Sequence, residues 1–220
     1  MSQLVFKFPF KTKYYEQDYY VSNNNFSAYK LIESWPNWPD KCLNIYGPKG
    51  CGKTHLSNIL KKKINIAEII DAKKINEEKL FKIEKLDCLI IDNYENNIDE
   101  NFFYSILNHF KQYETYVVVN SLLPIKHMQV ELKDLKSRVD SFVSLGIELP
   151  TDDLLRVIIS KSFSDKQIDL SPKISEYIIK NIERSYEKVF KFIKEIDDLS
   201  LSSGKSININ LIKKVLIDNE

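Results

Sequence analysis

Gly47-Pro48-Lys49-Gly50-Cys51-Gly52-Lys53-Thr54 satisfies the phosphate-binding loop pattern G-x-x-x-x-G-K-[ST] at every fixed position. Before it, Cys42-Leu43-Asn44-Ile45-Tyr46 reads as a short buried strand, and after it His55-Leu56-Ser57-Asn58-Ile59-Leu60 begins a helical pattern. Strand, loop and helix in that order are the context the motif requires. Glycines let the backbone wrap a polyphosphate, so that successive N–H groups and the helix N-terminus face the anion. Lys53 is expected to reach the β and γ phosphates of ADP or ATP, and the Thr54 hydroxyl to hold Mg²⁺. The chain has 5 glycines and this loop uses three of them, which leaves an accidental Gly-rich turn as a weak alternative.

A chain of 220 residues has room for one large domain, or a medium one with a small companion. Hydrophobic content of 43% and charged content of 29% describe an ordinary globular protein. No apolar run approaches bilayer length, and the N-terminus lacks a signal peptide's basic start and apolar stretch, so a cytoplasmic location without membrane contact is expected. Cys42, Cys51 and Cys88 are odd in number and lack C-x-x-C spacing, which suggests neither a disulfide framework nor a zinc site. A net charge of +1 provides no general field for nucleic acid. Among 32 Lys and Arg, the arginines are Arg138, Arg156 and Arg184, and arginine in a lysine-rich chain marks positions where a planar, permanent charge matters, or stands there by chance.

Along the chain, residues 3–8 alternate, with Leu4, Phe6 and Phe8 on one side if extended. That pattern fits either a terminal strand tucked onto the body or an extended peptide for another protein's apolar groove. Residues 14–41 are aromatic and polar, with Ser22-Asn23-Asn24-Asn25 as turn and helix cap and a helix running toward Trp35-Pro36-Asn37-Trp38-Pro39. Such a segment closes over a nucleotide base, which makes Tyr20, Val21 and Asn25 candidates beside His55, or it is core packing.

Further strands are expected at 66–71, 86–93, 116–121 and 142–149, with helices at 76–83, 99–113 and 132–138. Leu86-Asp87-Cys88-Leu89-Ile90-Ile91-Asp92-Asn93 is a Walker B pattern: a buried parallel strand sets the Asp92 carboxylate at its C-terminal end, opposite Thr54, to hold Mg²⁺. Asn93 stands where many ATPases carry a second acid, and an amide is not a general base, so intrinsic hydrolysis is expected to be slow or absent. Asn120 at the next strand end either orients water and contacts the γ phosphate or serves ordinary turn chemistry. Arg138 is either a surface ion pair or an arginine presented to a phosphate in trans. After Pro150-Thr151-Asp152-Asp153 the pattern is helical only: 154–164, 172–182, 185–200 and 210–217, with Ser202-Ser203-Gly204 as a loop. The expectation is an α/β phosphate-loop domain with a five-stranded parallel sheet, followed by a small all-α lid.

These features together resemble the AAA+ ATPases of the replication initiator DnaA group, and within it the short proteins of the Hda type. The resemblance covers nearly the whole chain. It rests on Gln3-Leu4-Val5-Phe6-Lys7-Phe8, Trp35-Pro36-Asn37-Trp38-Pro39, the phosphate loop, Ile90-Ile91-Asp92-Asn93, Leu135-Lys136-Ser137-Arg138 and the helical lid. It implies an N-terminal peptide at 1–13, an AAA+ domain at 14–150 and a lid at 151–220. It further implies that Gln3, Leu4, Phe6 and Phe8 bind the DNA polymerase sliding clamp, with Phe6 in place of the usual Leu. Arg138 matches the family's finger, which acts on DnaA's nucleotide, and DNA is contacted only through partners; a homodimer is possible. Asn93 matches the D-N form of Walker B in this branch. The lid's nucleotide-sensing arginine falls at Glu187 here, with Lys188 beside it and Arg184 one turn earlier as a substitute. Ser121-Leu122 lacks the family's usual acid. A helix-turn-helix domain for origin DNA is not expected.

Three readings of function remain at this point. One is a regulator that promotes ATP hydrolysis by DnaA. The others are an autonomous DnaA-like or DnaC-like ATPase and an adaptor whose nucleotide is structural only.

Overall fold

The computed structural model describes residues 14–76, 86–166, 168, 170–203 and 207–217. The peptide at 3–8 lies outside these residues, as does nearly all of the helix expected at 76–83. The chain divides into two compact units, one spanning Tyr14–Glu148 and the other beginning at Leu149.

The first unit is built on a parallel sheet of β1 (Cys42–Tyr46), β2 (Ala67–Asp71), β3 (Cys88–Tyr94), β4 (Tyr116–Ser121) and β5 (Val143–Gly146) in the order β2-β3-β4-β1-β5. Runs such as Cys88-Leu89-Ile90-Ile91 and Val117-Val118-Val119 are apolar on both faces because helices cover both. Leu89, Ile91, Val117 and Val119 face α3 (Glu100–Gln112) and α4 (Lys133–Asp140), packing on Phe103, Ile106, Leu107, Phe110, Leu135 and Val139. Strand alternation leaves Leu43, Ile45, Ile90 and Val118 for the opposite face, and all four are buried. Helices α1 (Phe26–Glu33) and α2 (Lys53–Lys63) bury Ala28, Ile32, Leu56, Ile59 and Leu60. The Asp99 carboxylate caps α3 by accepting from the Phe102 N–H at 2.9 Å.

Every strand runs in the same direction, so the C-terminal strand ends share one edge of the sheet and the N-terminal ends share the other. The sequence-based strand at 86–93 is displaced to Cys88–Tyr94, and that at 142–149 is shorter. β3 carries one extra residue against β4, since Ile91 pairs with Val119 but Tyr94 with Ser121. That bulge falls at Asp92 and Asn93.

The second unit comprises α5 (Asp152–Ser164), α6 (Pro172–Asn181), α7 (Tyr186–Ser203) and α8 (Ile209–Ile217). Thr151 caps α5, its hydroxyl accepting from the Leu154 N–H at 3.3 Å. Leu155, Ile159, Phe163, Ile178, Val189, Phe192, Ile196, Ile212 and Val215 recur at helical spacing and form the unit's own core. Ser202 and Ser203, read from sequence as loop, continue α7. No helix among the described residues is long and apolar enough to cross a membrane.

Candidate functional site at the C-terminal edge of the sheet

The phosphate loop follows β1 and its geometry depends on residues without a Cβ. Gly52 ends the loop at φ 99°, and a Cβ there would come within 2.9 Å of the Tyr19 ring. At Gly47 a Cβ would sit 2.6 Å from the Ile147 carbonyl oxygen. The buried Lys53 ammonium donates to the Gly47 and Pro48 carbonyls at 2.7 and 3.0 Å, which holds it across the loop's concave side. Lys49 is exposed. Burial pushes the Cys51 thiol above its ordinary range, with Lys53 opposing the shift, so Cys51 stays neutral and serves as packing.

Thr54, Asp92 and Asn120 converge. The Thr54 hydroxyl donates to Asp92 Oδ2 at 2.8 Å, and the Asn120 amide donates to Asp92 Oδ1 at 2.9 Å. The Asn93 backbone N–H donates to the same Oδ1 at 3.1 Å. Asn120 also donates to the Ser57 hydroxyl at 2.7 Å, and its own Oδ1 is buried without a hydrogen-bond partner. A buried amide oxygen left unsatisfied costs roughly 1–3 kcal/mol, and such atoms mark places where a further donor is accommodated. Asp92 is 6% exposed and Asn120 fully buried, whereas Thr54 is half-buried, so the constellation is reached from the Thr54 side.

Asn93 stands apart from that set. It is exposed, adopts φ 57°, and its side chain donates to Asp71 Oδ2 at 2.8 Å.

The aromatic segment crosses the same edge. Tyr19 stacks on Tyr29 with centroids 5.8 Å apart and meets His55 edge-on at 5.3 Å; Tyr14 meets His55 at 5.3 Å. The His55 Nε2 hydrogen bonds with the Tyr15 carbonyl at 2.7 Å. Asn25 is buried and closes the turn, donating to the Tyr20 carbonyl and accepting from the Ser22 N–H, both at 2.9 Å. Tyr20 remains exposed and Val21 half-buried. The segment is tied to the end of the sheet by the Glu148 N–H, which donates to the Asn24 carbonyl at 3.0 Å.

Arg138 lies elsewhere. It sits in the last turn of α4, donating to Asn108 Oδ1 at 2.8 Å. It lines a cavity of about 390 Å³ with Lys41, Cys42, Lys111, Val117 and Phe142. Those neighbours include the N-terminal ends of β1 and β4 and the approach to β5, so Arg138 is at the opposite edge of the sheet from the chain's own phosphate loop. Burial pushes the Cys42 thiol up to about 11.

Arg184 belongs to the second unit, where its guanidinium pairs with both oxygens of Asp152 at 2.9 and 3.2 Å. Glu187 occupies the first turn of α7, a position where a carboxylate favours the helix dipole. Arg156 bridges Asp153 at 2.8 Å and Glu176 at 2.9 Å.

Three residues at the site were not identified from sequence. Ser57 lies one turn beyond Thr54, and that spacing is its signal. Asn44 is a polar residue inside an apolar strand; it is fully buried, donates to the Val119 carbonyl at 2.9 Å and accepts from the Ile125 N–H at 3.1 Å. Asp71 gave no signal, since its link to Asn93 spans two strands.

Residues 152–216 match the protein family described as "Hda, lid domain". Curated relatives include the chromosomal replication initiator protein DnaA of Buchnera aphidicola subsp. Baizongia pistaciae, 27% identical over 243 residues, covering 98% of this chain and 53% of the relative. DnaA of Borreliella burgdorferi is 26% identical over 266 residues, covering 96% and 54%. The chain thus spans about half the length of these curated relatives. Among solved structures, domain III of Thermotoga maritima DnaA superposes with a TM-score of 0.74 at 18% identity, over 96% of this chain and 98% of that one. AMPPCP-bound DnaA from Aquifex aeolicus gives 0.68 at 20% identity, over 87% and 67%.

The fold and the site geometry define an AAA+ phosphate-loop domain followed by a helical lid. Residues 152–216 thus match the Hda lid family, and similarity in sequence and fold to DnaA runs along nearly the whole chain, which makes it similar to DnaA-related AAA+ proteins of the Hda type.

Proposed function

We propose that the chain binds an adenine nucleotide with Mg²⁺ and promotes ATP hydrolysis by DnaA, supplying Arg138 in trans while attached to the sliding clamp through Gln3, Leu4, Phe6 and Phe8. The observation that supports the reading is the separation of two groups of side chains on one sheet. Phosphate-holding groups gather at the C-terminal edge, and Arg138 is at the N-terminal edge, where it has no geometry for its own nucleotide.

The donor set fits a nucleotide. Gly50 and Gly52 supply the positive-φ backbone that curls the loop, at 82° and 99°, and Lys53 is positioned to exchange two loop carbonyls for phosphate oxygens. Thr54 and Asp92 are the oxygen donors suited to Mg²⁺, and the buried Asn120 Oδ1 is suited to accept from water or a metal-bound ligand. Thr54 and Asp92 would hold Mg²⁺, which would supply neutralisation of phosphate charge. The AMPPCP-bound DnaA structures support adenine as the base. Asn93, an amide turned toward Asp71, supplies no base for water, which supports low intrinsic turnover. Arg138 then stabilises charge developing on the partner's transferred phosphoryl group.

The deciding measurement is ATP hydrolysis by the matching DnaA, with and without this protein, with DNA-loaded clamp and either ADP or no nucleotide. Stimulation that requires clamp and ADP, with negligible turnover by this chain alone, supports the proposal. Turnover by the chain alone supports an autonomous ATPase instead. Removing residues 1–8 is expected to abolish clamp binding, measured by surface plasmon resonance, with an unchanged melting temperature; a lowered one identifies the segment as a structural strand.

A further inference from the structure

The cavity that Arg138 lines at the N-terminal edge of the sheet holds further charges. Lys41 and Lys111 line it as well, against the carboxylates of Asp40 and Glu114. Most of these charges are already engaged. Lys41 pairs with the Glu114 carboxylate and donates to the Glu114 carbonyl, both at 3.0 Å, and its ammonium lies 5.6 Å from the centre of the Tyr116 ring. Asp40 accepts the Cys42 N–H at 2.9 Å. Arg138 donates to a neutral amide, that of Asn108. Lys111 follows Asn108 by three residues in α3, a spacing that sets two side chains on one helix face with Cβ atoms roughly 5–6 Å apart. Lys111 is exposed, and among the described residues its ammonium has no hydrogen-bond or ion-pair partner. Both free cations act on one point inside the cavity, the half-buried Cys42 thiol: burial and then Asp40 push it up, and Arg138 and Lys111 oppose them.

We propose that Lys111 is a second cation of this cavity, which together with Arg138 takes the polyphosphate of a nucleotide held by the partner molecule. This assignment rests on the reading of Arg138 given above and deepens it. The two cations divide the work by their chemistry. The guanidinium of Arg138, half-buried and anchored, is a planar fork with a fixed direction, suited to charge that develops on the transferred phosphoryl group. The ammonium of Lys111 is a point charge on a flexible stem, which attracts the phosphates before any bond breaks. Lys111 therefore strengthens association, and Arg138 speeds the chemical step.

Two measurements on the full chain test this. The first follows alkylation of Cys42 by iodoacetamide, read by mass spectrometry of its peptide in mildly alkaline buffer where the thiolate forms. A K53A background keeps the phosphate loop from competing for the probe, tripolyphosphate. Tripolyphosphate should slow alkylation of Cys42 in K53A, and K53A/K111M should lose most of that protection. No protection in K53A, or equal protection in K53A/K111M, overturns the proposal. The second titrates this chain into DnaA and follows ATP hydrolysis. K111M should raise the half-saturating concentration by on the order of tenfold, the worth of a hydrogen bond to a charged group, with a maximal rate within about twofold of the wild type. K111R should restore the wild-type value, and added salt should shrink the difference. A lowered maximal rate at unchanged half-saturation, or K111R behaving as K111M, overturns the proposal. Failure of the underlying reading is seen separately: Cys42 is then protected through Lys111, yet the wild-type chain stimulates DnaA at no concentration, which leaves the polyphosphate site standing without DnaA as its source.

Discussion

The two edges of the β-sheet are built from the same five strands but on different physical terms. At the C-terminal edge, the candidate site is built from backbone conformation and buried polar contacts: Gly52 at φ 99°, Lys53 across the loop carbonyls, and Asp92 held by Thr54 and Asn120. At the N-terminal edge, Arg138 is a half-buried side chain anchored by one bond to a neutral amide, Asn108. A preorganised site must be right before its ligand arrives, whereas a group that acts on another molecule needs reach and a permanent charge. Substitutions at the first edge should therefore disturb binding or stability in this chain. Those at the second should disturb only what the chain does to a partner.

The largest expected effect tests the second edge. Arg138→Ala should reduce stimulated hydrolysis by DnaA by about 10³-fold, within the range for an arginine finger, while leaving this chain's nucleotide affinity and melting temperature nearly unchanged. Stimulation retained by the variant would end the finger assignment.

Lys53→Ala makes the converse test. It should weaken binding of a fluorescent ADP by roughly 100-fold, the worth of hydrogen bonds to a charged group, with the fold intact by circular dichroism. An unchanged affinity would mean that the loop does not carry the ligand.

Gly52→Ala should cost about 1–3 kcal/mol in urea denaturation, because it puts a side chain into a left-handed conformation and against Tyr19. Adding Tyr19→Ala separates the causes: steric relief recovers part of the loss, and backbone strain persists.

The smallest effect is a matter of pH and concerns the lid. Arg184 holds the Asp152 carboxyl below its ordinary range, and Arg156 does the same for Glu176. Carboxyls with lowered folded-state values contribute stability above their unfolded values, about 4, and lose it as pH falls through the folded ones. Lid stability should thus decline in acid below about pH 4, and less steeply in Asp152→Asn. Both pairs are exposed, so salt should reduce the difference.

Much of the fold is legible because each element carries its own signal. The phosphate loop carries three glycines within six residues, and Tyr116–Ser121 opens with the apolar run Val117-Val118-Val119; both can be seen without a partner segment. Strand ends are less legible. Gly146 rather than residue 149 ends β5 because pairing with β1 stops where Tyr46 gives way to the loop, a limit set by the neighbour. Likewise α7 runs through Ser202 and Ser203, because serine's bias against helix is weak.

The candidate site divides in the same manner. Lys53, Thr54 and Asp92 were readable because the chemistry fixes residue type and spacing along one segment. The resemblance, not spacing, pointed to Arg138 as a finger, and only the folded chain shows it at the edge away from its own loop. Residues that act by orienting others escaped: Ser57 holding Asn120, Asn44 joining β1 to the turn after β4, and Asp71 gripping Asn93. By itself the sequence determined the fold class, the loop's chemistry and the amide at position 93, since these depend on local pattern and residue type. Tertiary structure alone decided which carboxylate that amide meets and which edge Arg138 occupies, because strand order brings together groups separated by 22 to 77 positions along the chain.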